Sequence, residues 1–160
     1  MNMMNWTQKE ASLLQDLKQQ EQLCVDKYGL YAQRANDPDL QKLFRDIQQT
    51  EQEHLQMVNS LIQGRMPQQN QQNQRSQQNV QAPQAVSGQM NLQQAMQQDK
   101  FLCQDALCTE KEVSGAYNVS IFEFRDPQVR QLLNQLQSAE QRHGEMLYQY
   151  MARNGMYQAQ

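Results

Sequence analysis

The feature that most constrains this chain is an internal repeat with an offset of 89 positions. The motif Glu51-x-x-His54 recurs as Glu140-x-x-His143, and the match runs from Leu13 to Met57 without a gap. Self-similarity of this kind predicts two copies of one supersecondary unit. The identical pairs include Leu13/Leu102, Asp16/Asp105, Glu21/Glu110, Tyr28/Tyr117, Asp37-Pro38/Asp126-Pro127, Leu43/Leu132 and Met57/Met146.

Each copy reads as a helical hairpin, because apolar residues recur at helical spacing on both sides of an Asp-Pro break. Thr7 and Glu10 form a capping box that predicts a helix start near residues 6–8. Asp37-Pro38 and Asp126-Pro127 predict a cap followed at once by the next helix. The predicted apolar stripes are Leu14, Leu17, Val25, Tyr28, Ala32 and Ala35 in helix 1; Leu40, Leu43, Phe44, Ile47, Val58, Leu61 and Ile62 in helix 2; Met96, Cys103, Ala106, Val113 and Tyr117 in helix 3; and Val129, Leu132, Leu133, Leu136, Met146, Leu147 and Tyr150 in helix 4.

Residues 66–88 separate the hairpins at 1–65 and 89–160, and this segment is dominated by Gln and Asn. Such a composition cannot bury a core and predicts a flexible linker, with self-association as the alternative. A linker of this length spans up to about 75 Å, whereas the second helix is about 40 Å long. We therefore expect an all-α, ferritin-like four-helix bundle with one long crossover. A flexible linker also permits a homodimer or a hairpin-swapped oligomer.

The two Glu-x-x-His motifs lie within the predicted stripes. Residues three apart share a helix face, so Glu51 and His54 point the same way, as do Glu140 and His143. Counting outward from the turn of an antiparallel hairpin brings Glu21 to their level, and the repeat does the same for its twin. The residues predicted to converge near mid-bundle are Glu21, Glu51, His54, Glu110, Glu140 and His143.

Four carboxylates in one core repel each other and resist desolvation. Two divalent cations would balance them, and the mixed oxygen and nitrogen donors suit iron or manganese and tolerate zinc. The pattern matches that of ferritin-like di-iron and di-manganese proteins. By analogy with that class, the ligands are Glu51 and Glu140 as bridges, Glu21 with His54 on one ion, and Glu110 with His143 on the other. The alternative is a metal-free bundle whose buried Glu and His side chains hydrogen-bond one another.

The other polarisable side chains have simpler interpretations. Cys24, Cys103 and Cys108 form no Cys-x-x-Cys motif and are predicted to be small buried residues, with intermolecular cross-linking as the alternative. Tyr28 and Tyr117 face the same core and are expected to pack rather than to serve as redox partners. Met57 and Met146 are expected to fill the core.

Composition limits the remaining possibilities. Apolar residues make up 38 % of the 160 residues and the net charge is −3, which gives no reason to expect nucleic-acid binding. No stretch approaches the roughly 20 apolar residues of a membrane span. The first ten residues lack the apolar segment of a signal peptide, so a cytosolic location is the expectation.

Several strings resemble the spore coat protein F family of endospore-forming Firmicutes, whose members are ferritin-like bundles. They are Gln20–Tyr28 in the first half and Thr109–Glu112, Ala116–Asn118 and Met151–Tyr157 in the second. The resemblance covers both hairpins but not the Gln-rich linker. It implies synthesis in the mother-cell cytoplasm, deposition into the spore coat and contact with other coat proteins.

These observations leave three functional hypotheses. The first is a spore coat or sporulation-associated protein that retains a dinuclear metal site. The second is a di-iron or di-manganese redox enzyme of peroxidase, catalase or ferroxidase type that acts during sporulation. The third is an assembly module in which the linker and cysteines matter more than the core.

Overall fold

The computed structural model describes residues 4–67 and 91–157, and this part of the chain contains four α-helices and no strand. The helices are α1 (Gln8–Arg34), α2 (Pro38–Ile62), α3 (Leu92–Ile121) and α4 (Pro127–Arg153). The predicted all-α, four-helix fold is confirmed. Most of the predicted linker, from position 68 onward, lies outside the described residues, so the division into two hairpins and a linker stays a prediction.

The helices begin where the sequence supplies a cap. Thr7 and Glu10 form both hydrogen bonds of a capping box at the start of α1. Asp37 and Asp126 each accept a backbone N–H in the first turn of α2 and α4, and a proline follows each of them. After α2 the chain turns at Gly64, whose φ of 71° lies in the left-handed region that glycine tolerates.

Hydrogen bonds between the hairpins define the arrangement of the helices. The Arg125 backbone N–H donates to Glu10 at one end of α1, and the Asn36 backbone N–H donates to Asp99 beyond its other end. Helices α1 and α3 are therefore antiparallel neighbours, as are the two helices of each hairpin. It follows that α2 and α3 run parallel, so the end of α2 and the start of α3 lie at opposite ends of the bundle.

The core lies along the bundle axis and contains almost all of the predicted apolar stripes. The prediction of a core position is wrong for two residues, because Met96 is 50 % exposed and Met146 is 36 % exposed. The inward positions beside them belong to Asp99 and Leu147, which are buried. Met57 is only partly buried. An apolar stripe specifies a helix face only to within a residue, and the methionines lie at the edge of that face.

The sequence repeat reappears as a pseudo-two-fold relation between the hairpins. Gln48 Nε2 donates to the Val25 carbonyl at 3.0 Å, and Gln137 Nε2 donates to the Ser114 carbonyl at 3.1 Å. Each bond joins the two helices of its own hairpin, and the two bonds are related by the 89-residue offset. Equivalent residues of the two hairpins therefore occupy equivalent places around the bundle axis.

Candidate metal centre

Six ionisable side chains meet in the middle of the bundle. They come from all four helices, none is more than 4 % exposed, and they are Glu21, Glu51, His54, Glu110, Glu140 and His143. These are the residues for which the sequence predicts convergence. Each of them lies on the apolar face of its helix, so it is buried together with the apolar residues of that face.

The Nδ1 atom of His54 faces three carboxylates. It lies 2.8 Å from Glu140 Oε1, 3.0 Å from Glu51 Oε2 and 3.9 Å from Glu21 Oε2. Two of these oxygens belong to the first hairpin and one belongs to the second. One imidazole nitrogen is thus surrounded by oxygens from three different helices.

The Nδ1 atom of His143 has the equivalent surroundings. It lies 3.1 Å from Glu51 Oε1, 3.5 Å from Glu140 Oε2 and 3.6 Å from Glu110 Oε2. The two imidazole rings stack with centroids 5.7 Å apart. Glu51 and Glu140 therefore each direct one oxygen to either histidine.

The side chains form two overlapping groups that could hold a metal ion. In each group the ligand atoms lie within 4.8 Å of one another, and all the residues are buried. Glu51 and Glu140 belong to both groups. The remaining members are Glu21 and His54 in the first group and Glu110 and His143 in the second.

Buried oxygens without hydrogen bonds provide a test of whether a cation fits this site. Among the described residues, Glu21 Oε2, Glu110 Oε2 and both Glu140 oxygens are buried without a hydrogen-bond partner. A buried oxygen without a partner is costly, and a carboxylate more so. All of these oxygens face the histidine Nδ1 atoms. The donor set is therefore compatible with a bound cation, which would give each of these oxygens a partner.

Two tyrosines hold the outer carboxylates from the opposite hairpin. Tyr117 donates its hydroxyl hydrogen to Glu21 Oε1, and Tyr28 donates to Glu110 Oε1. Burial and the adjacent carboxylates raise the pKa of both tyrosines above the ordinary range, so both remain donors. Each outer glutamate thus has one oxygen fixed by a tyrosine and the other turned inward. The expectation of a packing role for these tyrosines missed this contact.

The electrostatics of the cluster are those of crowded carboxylates. Burial and the repulsion of neighbouring carboxylates raise the pKa of Glu21, and burial raises that of Glu110 to about 8. Burial alone would lower the pKa of the histidines, but contacts with carboxylates raise that of His54 to about 10 and that of His143 to about 12. Burial likewise disfavours ionised Glu140, yet both histidines keep its pKa below the ordinary range. Protons on these groups or bound cations are the two ways to balance the charge.

Sequence reasoning missed two buried acids at the ends of the bundle. Glu10 and Asp99 are 1 % and 4 % exposed and are related by the repeat offset. Each accepts hydrogen bonds from the turn of the opposite hairpin. The signal that could have identified them is an acidic residue at the same repeat position, within the first turns of a helix that faces the partner hairpin.

The three cysteines do not share one environment. Cys24 and Cys103 are buried as predicted, but Cys108 is exposed, so that prediction is wrong for Cys108. It lies on the exposed side of α3, next to the buried residue Thr109. Only Cys108 presents its thiol to solvent among these three residues.

The comparisons with known proteins give one match. Residues 98–160 match the family model of the Coat F domain. The matched region covers most of α3 and all of α4, and with them Glu110, Glu140 and His143. No curated protein and no solved structure matches the chain. None of the described helices has the length and apolar character needed to cross a membrane.

Proposed function

We propose, from the match of residues 98–160 to the Coat F domain, that the chain is a member of the Coat F family and a spore coat or sporulation-associated protein that retains a dinuclear metal site. The family supports a place in the spore coat among other coat proteins. Synthesis in the mother-cell cytoplasm and assembly as a homodimer or a hairpin-swapped oligomer are parts of the same proposal.

The observation that carries the metal site is the crowding of oxygens around each histidine Nδ1. A ring nitrogen carries at most one hydrogen, yet three carboxylates lie within 3.9 Å of Nδ1 of His54 and within 3.6 Å of Nδ1 of His143. A metal-free network would satisfy only one acceptor at each nitrogen. A cation accepts all of these donors at once.

The protein residues have distinct roles in this proposal. Glu51 and Glu140 would be shared by the two ions, because both residues belong to both ligand groups. Glu21 with His54 would complete one position, and Glu110 with His143 would complete the other. Iron or manganese fits the mixed donor set and would supply a reversible change of oxidation state, while zinc would also be held. Tyr28 and Tyr117 orient the outer carboxylates.

Metal content per chain tests the proposal. Protein purified from its own host, or refilled with Mn²⁺ or Fe²⁺, is expected to hold two ions per chain. Glu51→Ala is expected to lose both ions, because Glu51 is shared. His54→Ala is expected to lose mainly the ion that His54 completes. Glu53→Ala is the matched control, since Glu53 lies in the same helix but is exposed.

Metal binding and thermal stability also give the result that would contradict the metal site. A folded protein with native circular dichroism that binds no divalent metal, and whose thermal stability is unchanged by Glu51→Ala, would remove the metal site from the proposal. The metal-free alternative, in which buried Glu and His pairs bond each other, would then stand.

A redox enzyme is the second candidate. The donor set favours it because iron and manganese, the ions best suited to these ligands, both change oxidation state. Assays of peroxide consumption and of Fe²⁺ oxidation on metal-loaded protein separate this function from a structural one. Activity that is lost in Glu51→Ala but kept in Glu53→Ala would support the enzyme, and metal-loaded protein inert in both assays would exclude these reaction types.

A further inference from the structure

The pseudo-two-fold relation fails at one place beside the centre. On one side of the α1/α3 interface, Lys27 Nζ lies 3.0 Å from Asp105 Oδ2 and donates to Thr109 at 2.9 Å. Tyr31 also donates to Asp105. These side chains reach from α1 to α3 and cover the interface next to the Tyr28–Glu110 hydrogen bond.

The repeat offset puts much smaller residues on the other side. Ala116 occupies the place of Lys27, and Ser120 occupies the place of Tyr31. The equivalent of Asp105 is Asp16, which is exposed. The α1/α3 interface here contains a groove of about 550 Å³, lined by Leu13, Asp16, Leu17, Gln19, Gln20, Leu23, Glu112, Ala116, Val119 and Ser120.

The floor of this groove lies close to the ligands. Leu17 and Ser120 are buried lining residues. Leu17 precedes Glu21 by one helical turn and Ser120 follows Tyr117 by nearly one, a distance of about 5 Å along each helix. Glu21 and Tyr117 are joined by a hydrogen bond. The groove therefore lies about one helical turn from the half of the centre that contains Glu21 and His54.

The charge of the groove differs from that of the opposite side. Its lining includes the carboxylates Asp16 and Glu112 and the amides of Gln19 and Gln20, and none of the described lining residues is basic. The opposite side carries the Lys27 ammonium group. A groove of one charge sign raises the local concentration of oppositely charged solutes, so hydrated cations are attracted to this side, whereas the Lys27–Asp105 ion pair leaves the opposite side without that attraction.

We propose that this groove is the route by which hydrated divalent cations reach the centre, and that the Lys27–Asp105–Tyr31 side is closed. The proposal rests on the dinuclear site proposed above. It makes the two metal positions kinetically unequal although their ligands are equivalent, because the first ion arrives on the side of Glu21 and His54.

The repeat itself supplies the variants that test the route. Ala116→Lys combined with Ser120→Tyr copies the closed side onto the groove. Stopped-flow absorbance of Co²⁺ binding to metal-free protein is expected to show uptake at least tenfold slower, with two ions still bound at equilibrium. Lys27→Ala with Tyr31→Ser opens the other side and is expected to load at least as fast as the native chain.

A second pair of substitutions covers the case in which the bulky variant fails to fold. Asp16→Asn with Glu112→Gln keeps the shape of the groove and removes both charges. It is expected to slow Co²⁺ uptake severalfold and to weaken the dependence of the rate on ionic strength.

The outcomes separate the route from the site. If Ala116→Lys/Ser120→Tyr folds, binds two ions and takes up Co²⁺ at the native rate, the route is wrong and the dinuclear site stands. The same conclusion follows if only Asp16→Asn/Glu112→Gln folds and it takes up Co²⁺ at the native rate. Slower loading after opening the Lys27 side would also overturn the route. If no variant, including the native chain, binds Co²⁺, the proposed site falls and the route falls with it.

Discussion

At the scale of single residues, the centre depends on how each outer carboxylate is oriented. Tyr117 fixes one oxygen of Glu21 and leaves the other facing His54. Tyr28 fixes one oxygen of Glu110 and leaves the other facing His143. Partners of this kind hold a ligand in its binding geometry before the metal arrives. The tyrosines also join the hairpins, since each donates to a carboxylate of the other one.

Removing a tyrosine hydroxyl should therefore weaken metal binding without unfolding the bundle. Tyr117→Phe is expected to raise the Kd for Mn²⁺ or Co²⁺ by about tenfold, because loss of such a partner costs about 10–100-fold in affinity. Competition with a chelator of known affinity measures the change. Tyr148→Phe, at an exposed position, is the control, and an unchanged Kd in Tyr117→Phe would show that the hydroxyl does not orient the ligand.

The thiols provide a second prediction at this scale. Burial raises the pKa of Cys103 to about 12 and that of Cys24 well above the ordinary range, whereas Cys108 is exposed. Because the thiolate is the reactive form, iodoacetamide at pH 8 is expected to label one site in the native protein and three after unfolding. Mass spectrometry of the intact chain counts the labels. Two or three rapid labels on the native protein would contradict the burial of Cys24 and Cys103.

At the scale of the helices, the two Asp-Pro breaks resemble each other in sequence but differ in their contacts. Asp126 caps α4 by accepting from the Gln128 and Val129 backbone N–H groups. Asp37 caps α2 through the Asp39 N–H and also accepts the Tyr150 hydroxyl at 2.6 Å. Asp37 therefore links the start of α2 to the C-terminal part of α4, whereas the hydrogen bonds that cap α4 at Asp126 lie within α4 itself.

This difference predicts unequal costs for equivalent substitutions. Asp126→Ala is expected to lower the free energy of unfolding by about 1 kcal/mol, the usual cost of an N-cap. Asp37→Ala is expected to cost about 1–2 kcal/mol more, because a part-buried hydroxyl also loses its partner. Urea titration of both variants measures the gap. Equal losses would show that the Tyr150 contact contributes nothing to stability.

At the scale of the whole molecule, two buried acids hold the ends of the bundle together. Glu10 accepts from the Arg125 backbone and guanidinium, and Asp99 accepts from the backbone of Asn36 and Asp37. Each joins one hairpin to the turn of the other. The hairpins are thereby kept in register at both ends, which keeps the six central side chains at one level.

The hydrogen bonds that Glu10 accepts from Arg125 should make the free energy of unfolding depend on pH. Burial opposes ionisation, but hydrogen bonds from Arg125 and Thr7 lower the pKa of Glu10 from 4.5 to about 2. A group whose pKa is lower in the folded state stabilises above its unfolded pKa, and this contribution is lost as pH falls from about 4.5 to about 2. The Arg125 side chain is 67 % exposed, so solvent screening reduces the contribution of Glu10 to about 1–2 kcal/mol.

Glu10→Gln isolates this contribution. The variant is expected to be less stable than the native chain at pH 6 and to approach it near pH 2, as measured by thermal unfolding across that range. Glu123→Gln is the control, because Glu123 forms an exposed ion pair with Lys9 and such pairs contribute little. A difference between Glu10→Gln and the native chain that is constant with pH would assign the effect to packing instead.

The sequence by itself determined the four helices, the N-caps of three of them and the level of the six central residues. Helical periodicity and hydrogen bonding by Thr7, Asp37 and Asp126 are each expressed within a few turns of one chain segment. The gapless repeat then transfers the same reading from the first hairpin to the second. The antiparallel hairpin then brings Glu21 opposite Glu51 by counting alone. The metal assignment itself stays a proposal supported by that geometry.

Only the tertiary structure decided which side chains cross between the hairpins. It paired Tyr117 with Glu21 and Glu10 with Arg125, exposed Met96, Met146 and Cys108, and left Ala116 beside a groove where Lys27 closes the equivalent side. The physical reason is that these outcomes depend on how each helix is rotated about its own axis against a partner. A broad apolar stripe leaves that rotation undetermined by several tens of degrees, and only packing against the other three helices selects it.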